Sequence, residues 1–230
     1  MKTLIRTLLL AVATVCAMPL HAQTDPEYRM EIGGGVGVMN YLGDFNGSLT
    51  SNFQASATVV ARRIFNPYMG LKANLTYGKM KGDAAKEDTY YPDTPTEGYT
   101  FDNTLVDLSL TYEYNFWPYG TGRDYRGAKR LTPFVFGGIG GTYAAGKEKD
   151  VITANIPLGL GIKYKMGERT NIGVEWAMHF SLSDKLDGWA DPYTIKSTGL
   201  FKNTDCYSTL LVTFTYSFMA KCRTCHNDND

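Results

Sequence analysis

Apolar and polar residues alternate with a period of two in several long segments of the chain. In segment 104–116, the even positions from Val106 to Phe116 are apolar, whereas the odd positions from Asp107 to Asn115 are polar. Successive side chains of a β-strand point to opposite faces, so this pattern predicts a strand with one apolar and one polar face. The same pattern recurs in segments 154–166, 171–182 and 209–218.

Four weaker runs bring the number of predicted strands to about eight. Three of them keep apolar residues on one parity, while the fourth is rich in glycine and its two faces cannot be assigned from the sequence. These runs cover residues 28–41, 53–62, 68–80 and 132–145. An even number of strands is typical of a single-chain barrel that closes in the outer membrane.

Two features favour a membrane barrel over a soluble β-sandwich. Aromatic residues fall near predicted strand ends, as in an interfacial girdle, and the polar faces carry charged residues that a lumen can pair. The aromatic residues are Tyr77, Phe116, Trp117, Tyr164 and Phe218; the charged ones are Arg29, Glu31, Arg62, Lys72, Asp107, Glu113, Lys163, Lys165 and Glu175. We therefore predict an all-β fold, an eight-stranded antiparallel transmembrane β-barrel of the up-and-down OmpA/OmpX-like type.

A barrel of eight strands is just wide enough for side chains to fill its interior. The charged residues of the polar faces are therefore expected to form an ion-pair plug, and a conducting pore is not expected. Equal numbers of Lys+Arg and Asp+Glu, 23 each, give no global field that would favour nucleic acid.

The N-terminal segment is typical of a secretory signal peptide. Lys2 and Arg6 precede an apolar run over residues 7–20, which is too short to span a membrane, and Ala22 offers a small residue for cleavage. We predict a signal peptide at 1–22, an outer-membrane barrel at 23–219 and a periplasmic tail at 220–230.

The strand order then predicts the topology in a Gram-negative envelope. With both termini periplasmic, the loops near 42–52, 81–101, 146–152 and 183–205 lie outside the cell. The turns near 63–67, 117–131 and 166–170 lie in the periplasm, where turns are normally short.

The turn near 117–131 is unusually long and basic. Arg123, Arg126, Lys129 and Arg130 stand there against Asp124 alone. The turn is either a solvated basic loop or a docking surface for a periplasmic partner.

Two short motifs suggest chemistry that their context disfavours. His179 and Ser181 share a face with Glu175, as in barrels that resemble lipid A deacylases, but this is the polar face and points away from lipid. Cys222-Arg223-Thr224-Cys225-His226 matches a haem-attachment pattern, yet it follows the last strand with only four residues beyond it. We expect no enzyme activity, small-molecule substrate, cofactor or metal.

The cysteines of the tail are expected to form a local Cys222–Cys225 disulfide or to remain thiols. Cys206 is predicted at the outer end of the last strand, about 50 Å from Cys222 at about 3.3 Å per residue. These two cysteines should therefore not pair within one molecule, and Cys206 is either a thiol or a link to another molecule.

Several motifs together resemble the PorG family, outer-membrane barrels of the type IX secretion system. The first is Asn40-Tyr41-Leu42-Gly43-Asp44 at the end of the first strand. The second runs from Ile156-Pro157-Leu158-Gly159 to Gly161-Ile162-Lys163-Tyr164, and the third is Glu175-Trp176 followed by Asp184, Leu186 and Asp187. The similarity extends along essentially the whole mature chain.

The resemblance implies a structural part of a secretion machine. Such a barrel would anchor or contact the periplasmic PorK/PorN ring and so support export of cargo proteins. Its partners would then be ring proteins and outer-membrane lipid, and its available periplasmic faces would be Arg123, Arg126, Lys129, Arg130 and the tail. The alternative is a general small surface barrel that serves adhesion or envelope integrity through its external loops.

Overall fold

The computed structural model describes residues 26–42, 53–83, 100–122, 126–145, 150–182 and 206–220. Within these ranges the alternating segments form eight strands. They are β1 (Tyr28–Leu42), β2 (Gln54–Asn66), β3 (Met69–Asp83), β4 (Thr100–Asn115), β5 (Leu131–Ala145), β6 (Val151–Lys165), β7 (Thr170–Ser181) and β8 (Cys206–Ala220).

Each strand pairs antiparallel with its neighbours in sequence, and β8 pairs with β1 to close the barrel. Closure leaves no sheet edge, so the backbone N–H and C=O groups of the wall are paired within the sheet, as a lipid environment demands. The predicted eight-stranded, up-and-down antiparallel barrel is therefore confirmed.

The two ends of the barrel differ in their connections. Tyr28 in β1 lies opposite Ala220 in β8, at the end that also holds the connections of residues 67–68, 116–130 and 166–169. We call this the turn end and the opposite end the loop end. The start of β1 and the end of β8 therefore lie at the same end of the barrel as the three turns, as the sequence predicted.

Two of the turns are tight because a few local hydrogen bonds close them. The side-chain Oδ1 of Asn66 accepts the N–H groups of Tyr68 at 2.8 Å and Met69 at 2.9 Å, a bond pattern that suits asparagine before proline in a turn. In the β6–β7 turn, the N–H groups of Met166 and Gly167 both donate to the carbonyl of Thr170.

The outer wall is apolar and the lumen is polar. Outward residues of β4, β6 and β8, such as Leu108, Leu160 and Val212, are large, apolar and 44–61% exposed. The intervening residues point inward and are buried, and most of them are polar. An exposed apolar band around a closed sheet is the surface that a bilayer covers.

Strand β5, whose faces the sequence left open, points two aromatic rings inward. Phe134 and Phe136 are buried and stacked, with ring centroids 5.7 Å apart. They lie opposite Gly161 and Gly159 of β6, which also face the lumen. The two glycines leave the space that the rings occupy.

The lumen at the loop end is closed by an apolar cluster. The buried side chains come from β1, β3, β4, β5 and β8, so the cluster spans the width of the barrel. Its members are Met39, Tyr41, Met80, Leu105, Ala144 and Tyr207.

The glycines of β6 offer a test of this packing. A Cβ at Gly159 would lie 2.4 Å from Cζ of Phe136 and 2.5 Å from the carbonyl oxygen of Trp176. Gly159→Ala should therefore lower the free energy of unfolding by about 2 kcal/mol, because the wall and the ring must both move. Urea unfolding in lipid vesicles, followed by tryptophan fluorescence, measures this loss.

The matched control is Gly141→Ala on the outward face of β5, where no described atom lies within 4 Å of the new Cβ. This variant should unfold within about 0.5 kcal/mol of the parent, as surface substitutions usually do. Equal effects of the two substitutions would contradict the close contact between Gly159 and Phe136.

Candidate functional site

Three carboxylates and three cations meet in the middle of the lumen. Glu113 of β4 is the most connected acid: it lies 2.7 Å from Nε of Arg62, 2.6 Å from Nζ of Lys163 and 3.4 Å from Nζ of Lys72. All four side chains are almost completely buried. Such charges are tolerated in a dry interior only when they are paired and hydrogen-bonded.

Glu175 and Glu31 complete this ion cluster. Glu175 of β7 accepts from Nζ of Lys72 at 2.5 Å and lies 3.5 Å from Arg62. Glu31 of β1 forms an ion pair with Arg62. Its carboxylate also accepts from Asn171 at 3.3 Å and from the hydroxyl groups of Thr215 and Ser217 of β8 at 3.4 Å each.

The two phenylalanines of β5 contact the same cluster. The ammonium group of Lys72 lies 4.2 Å from the ring centroid of Phe136, and that of Lys163 lies 4.1 Å from the ring centroid of Phe134. Both distances are within the range of a cation–π interaction. With these rings, all eight strands contribute a side chain to the cluster or to its immediate contacts.

A second polar layer lies between the ion cluster and the apolar cluster at the loop end. Oδ2 of Asp107 accepts from the Tyr207 hydroxyl at 2.8 Å, from Nδ2 of Asn155 at 2.5 Å and from the Thr142 hydroxyl at 3.2 Å. The imidazole of His179 stacks on Tyr207 with ring centroids 4.4 Å apart. This layer joins β4, β5, β6, β7 and β8.

The pair His179 and Ser181, which resembles a deacylase motif, lies inside the barrel, as its place on the polar face of the strand predicted. His179 and Ser181 are buried, and the hydroxyl of Ser181 points to Thr153, 3.4 Å away. The acid nearest His179 is Asp107, with Nδ1 and Oδ1 3.9 Å apart, and not Glu175, which is held by Lys72 and Arg62. The predicted shared face of His179, Ser181 and Glu175 is therefore confirmed, because all three are buried in the lumen, but the acid beside His179 comes from β4.

Among the described residues, the buried charges of the lumen balance. The acids are Glu31, Asp107, Glu113 and Glu175, and the bases are Arg62, Lys72, Lys163 and Lys165. The predicted ion-pair plug is therefore present. Arg29 is the exception, because it is exposed at the turn end instead of lying in the lumen.

The described part of the chain contains no group of three or more His, Cys, Asp or Glu side chains that could hold a metal ion. It also contains no helix long and apolar enough to cross a membrane. A small pocket, partly open to solvent, lies at the turn end between the ion cluster and the β4–β5 turn.

The β4–β5 turn closes much of the turn end. The hydroxyl of Tyr119 donates to Oδ1 of Asn171 at 2.9 Å, and its backbone N–H donates to the carbonyl of Pro67 at 3.0 Å. Burial is the main reason why the pKa of the Tyr119 phenol lies well above its ordinary value. Tyr119 therefore stays a neutral hydrogen-bond donor at the mouth of the barrel.

Further bonds hold the turn in place across the mouth. The carboxylate of Glu27, just before β1, accepts from the N–H of Thr121 at 2.8 Å and from its hydroxyl at 2.5 Å. The N–H of Lys129 donates to Pro118 at 2.7 Å, and that of Gly120 donates to Lys129 at 3.1 Å. Gly122 has a φ of 83°, which favours glycine.

The basic residues that the structure describes therefore lie next to hydrogen-bonded parts of the turn. Arg126, Lys129 and Arg130 are exposed. Lys129 lies over Trp117, with Nζ 4.5 Å from the ring centroid. Arg123 lies outside the described residues.

Most of the remaining motif residues cannot be placed. Asn40 and Tyr41 are buried near the end of β1, and Glu175 belongs to the ion cluster. The other matched positions, and the tail cysteines, lie outside the described residues. They are Gly43, Asp44, Asp184, Leu186, Asp187, Cys222 and Cys225.

Sequence reasoning missed the inward role of Tyr119. A turn has no periodicity that separates an inserted side chain from a solvated one. The composition of the turn did contain a signal. Trp117-Pro118-Tyr119 holds two aromatic residues, whereas mobile connections are usually poor in them.

A family model described as "Domain of unknown function (DUF6089)" matches residues 6–227 of the chain. No curated protein sequence gives a significant match.

Three solved structures that are similar to this chain are outer-membrane barrels. The attachment invasion locus protein Ail of Yersinia pestis is 10% identical, with coverage of 84% of this chain and 99% of that chain and a TM-score of 0.48. Neisserial surface protein A is 14% identical, with coverage of 82% and 97% and a TM-score of 0.48. OprG of Pseudomonas aeruginosa is 12% identical, with coverage of 86% and 99% and a TM-score of 0.48.

Removal of one acid tests the ion cluster. Glu113→Gln keeps the shape of the side chain but leaves three cations against two carboxylates. We expect the free energy of unfolding to fall by about 3–5 kcal/mol, because a buried charge loses its partner. The measurement is urea unfolding in lipid vesicles.

Two further variants separate charge from packing. Adding Lys163→Met to Glu113→Gln restores neutrality and should recover part of the loss. Lys81→Gln removes one partner of the exposed Lys81–Asp102 pair, whose atoms are 3.2 Å apart, and should cost less than about 1 kcal/mol. If Glu113→Gln cost no more than Lys81→Gln, the cluster would not be the buried network described above.

Proposed function

We propose that this chain, which belongs to the DUF6089 family, is an outer-membrane component of the type IX protein secretion machinery. In this proposal its turn end contacts a periplasmic ring of the PorK/PorN kind and so supports the export of cargo proteins. The sequence resemblance to the PorG family suggests the machine, and the geometry of the turn end suggests the contact surface.

The closed wall, the apolar outer band and the charge-balanced lumen make the chain an outer-membrane barrel. The ion cluster and the two neighbouring layers occupy the lumen where cargo or solute would have to pass. The proposed role therefore uses the outside of the barrel, as an anchor or an adaptor.

The observation that carries the proposal is the basic β4–β5 turn, whose described parts are hydrogen-bonded to the barrel mouth. Tyr119 and Thr121 bind the turn to the barrel mouth, and Arg126 and Arg130 project from it with exposed side chains. A pre-ordered surface loses less entropy on binding than a mobile loop does. The short turns of outer-membrane barrels normally face the periplasm, which is where the ring would lie.

Charge reversal of the turn tests this surface. Arg126→Glu with Arg130→Glu should reduce co-purification of ring proteins from detergent-solubilised membranes at least tenfold, because attraction becomes repulsion. Lys129 is left intact because it packs over Trp117 and is therefore less available to a protein partner. Adding Arg123→Glu should deepen the effect.

The matched control reverses two exposed lysines at the other end of the barrel, Lys79→Glu with Lys81→Glu, and should leave co-purification unchanged. Unchanged ring capture in the Arg126/Arg130 variant would show that the turn is the wrong surface. Normal cargo secretion in a strain that lacks the protein would refute the secretion role and favour the general surface barrel.

A further inference from the structure

Three cations at the turn end lie outside the wall, each beside an aromatic ring. The guanidinium of Arg63 lies 5.8 Å from the ring centroid of Phe65. Lys129 lies over Trp117 as described, and Arg169 of the β6–β7 turn lies 5.7 Å from the ring centroid of Tyr28. Each distance falls within cation–π range.

Arg169 is held by a further bond. Its Nη1 donates to the hydroxyl of Tyr216 at 3.0 Å, and Tyr216 faces outward on β8. Phe65, Trp117 and Tyr216 are all exposed members of the aromatic band near the turn end. The other large members of that band are Tyr112, Tyr114, Phe116 and Tyr164.

The three cations are spread around the barrel and not gathered on one side. Arg63 stands on β2, Lys129 on the β4–β5 turn and Arg169 on the β6–β7 turn, so they divide the circumference into three comparable arcs. A docked protein would contact one side of the rim. A lipid leaflet surrounds all of it.

The two ends of the barrel also differ in charge. Among the described residues, six exposed bases stand at the turn end against one exposed acid, Glu168. The bases are Arg29, Arg63, Arg126, Lys129, Arg130 and Arg169. At the loop end the exposed bases Lys79 and Lys81 are matched by Asp102 and Asp150.

We propose that Arg63, Lys129 and Arg169 form a lipid site around the barrel, which binds the phosphate groups of anionic phospholipids in the leaflet at the turn end. An aromatic side chain at the interface places its ring at headgroup depth, so a cation beside that ring lies at the level of the lipid phosphates. The planar forks of Arg63 and Arg169 can each present two N–H groups to one phosphate, whereas Lys129 acts as a point charge.

The aromatic contacts also explain why these cations, and not the others of the rim, are assigned to lipid. A stacked guanidinium has less freedom to lose when it binds a phosphate. Arg126 and Arg130 of the β4–β5 turn are exposed and have no such ring contact within the described residues. The lipid site and the proposed ring contact therefore use different residues of the same end.

The test is native mass spectrometry of the purified full-length chain in detergent, titrated with dioleoylphosphatidylglycerol or with dioleoylphosphatidylcholine. The lipid-site variant combines Arg63→Gln, Lys129→Gln and Arg169→Gln. The control combines Lys79→Gln, Arg126→Gln and Arg130→Gln, which removes the same charge. Heat-dependent gel mobility checks that each variant is a folded barrel.

The parent should retain more phosphatidylglycerol than phosphatidylcholine. The lipid-site variant should lose this preference, with about fivefold weaker phosphatidylglycerol binding for each cation removed. The control should keep the preference. Raising the salt concentration should weaken phosphatidylglycerol retention by the parent.

Two results would overturn the proposal. The first is equal phosphatidylglycerol retention by the parent and the lipid-site variant. The second is an equal loss in the lipid-site variant and the control, which would indicate unspecific charge. Neither outcome depends on whether Arg126 and Arg130 contact a secretion ring, so the two proposals fail separately.

Discussion

The charge balance of the lumen is the constraint on which the rest of the structure depends. Arg62 is shared among three carboxylates, and Glu113 is shared among three cations, so no ion pair of the cluster can be separated from the others. Removing two charges from water is costly, and their attraction repays this only with good geometry and further hydrogen bonds. The hydroxyl and amide groups around Glu31 supply such bonds from β7 and β8. The cluster therefore fixes how the strands face one another across the barrel, in addition to the backbone ladder that fixes how neighbours pair.

A lumen filled in this way limits what the protein can do. The apolar cluster, the Asp107 layer, the ion cluster and Tyr119 follow one another from the loop end to the turn end. The first three of these layers draw on side chains from several strands, so an opening would have to disrupt many contacts together. Binding at the two ends and on the outer surface requires no such disruption. The β4–β5 turn and the cations beside aromatic rings lie at the turn end, and their side chains are exposed.

The wall could be predicted from the sequence, whereas much of the interior could not. A period of two reveals which residues of β4, β6, β7 and β8 share a face, and the number of strands follows from counting such segments. The pattern fails in β5, because Phe134 and Phe136 point inward and are accommodated by Gly161 and Gly159, which lie on another strand. The partner of His179 was missed for the same reason: Asp107 is 72 positions away in sequence and becomes a neighbour only when the barrel closes. Arg29 has the parity of a lumen residue, but it lies too close to the barrel end to be covered. Parity gives the face of a side chain, and only the register between strands gives its contacts.

The neutral composition of the chain conceals a charge asymmetry that the fold creates. The buried charges of the lumen cancel within the barrel, so they contribute little field outside it. The exposed charges of the described turn end are mostly basic. At the described loop end, the exposed bases Lys79 and Lys81 are matched by the exposed acids Asp102 and Asp150. Total charge therefore says little about the partners of such a barrel, because its two ends meet different surroundings. What decides recognition is the sign of the charge at each rim and the aromatic residues that hold it at the depth of the lipid headgroups.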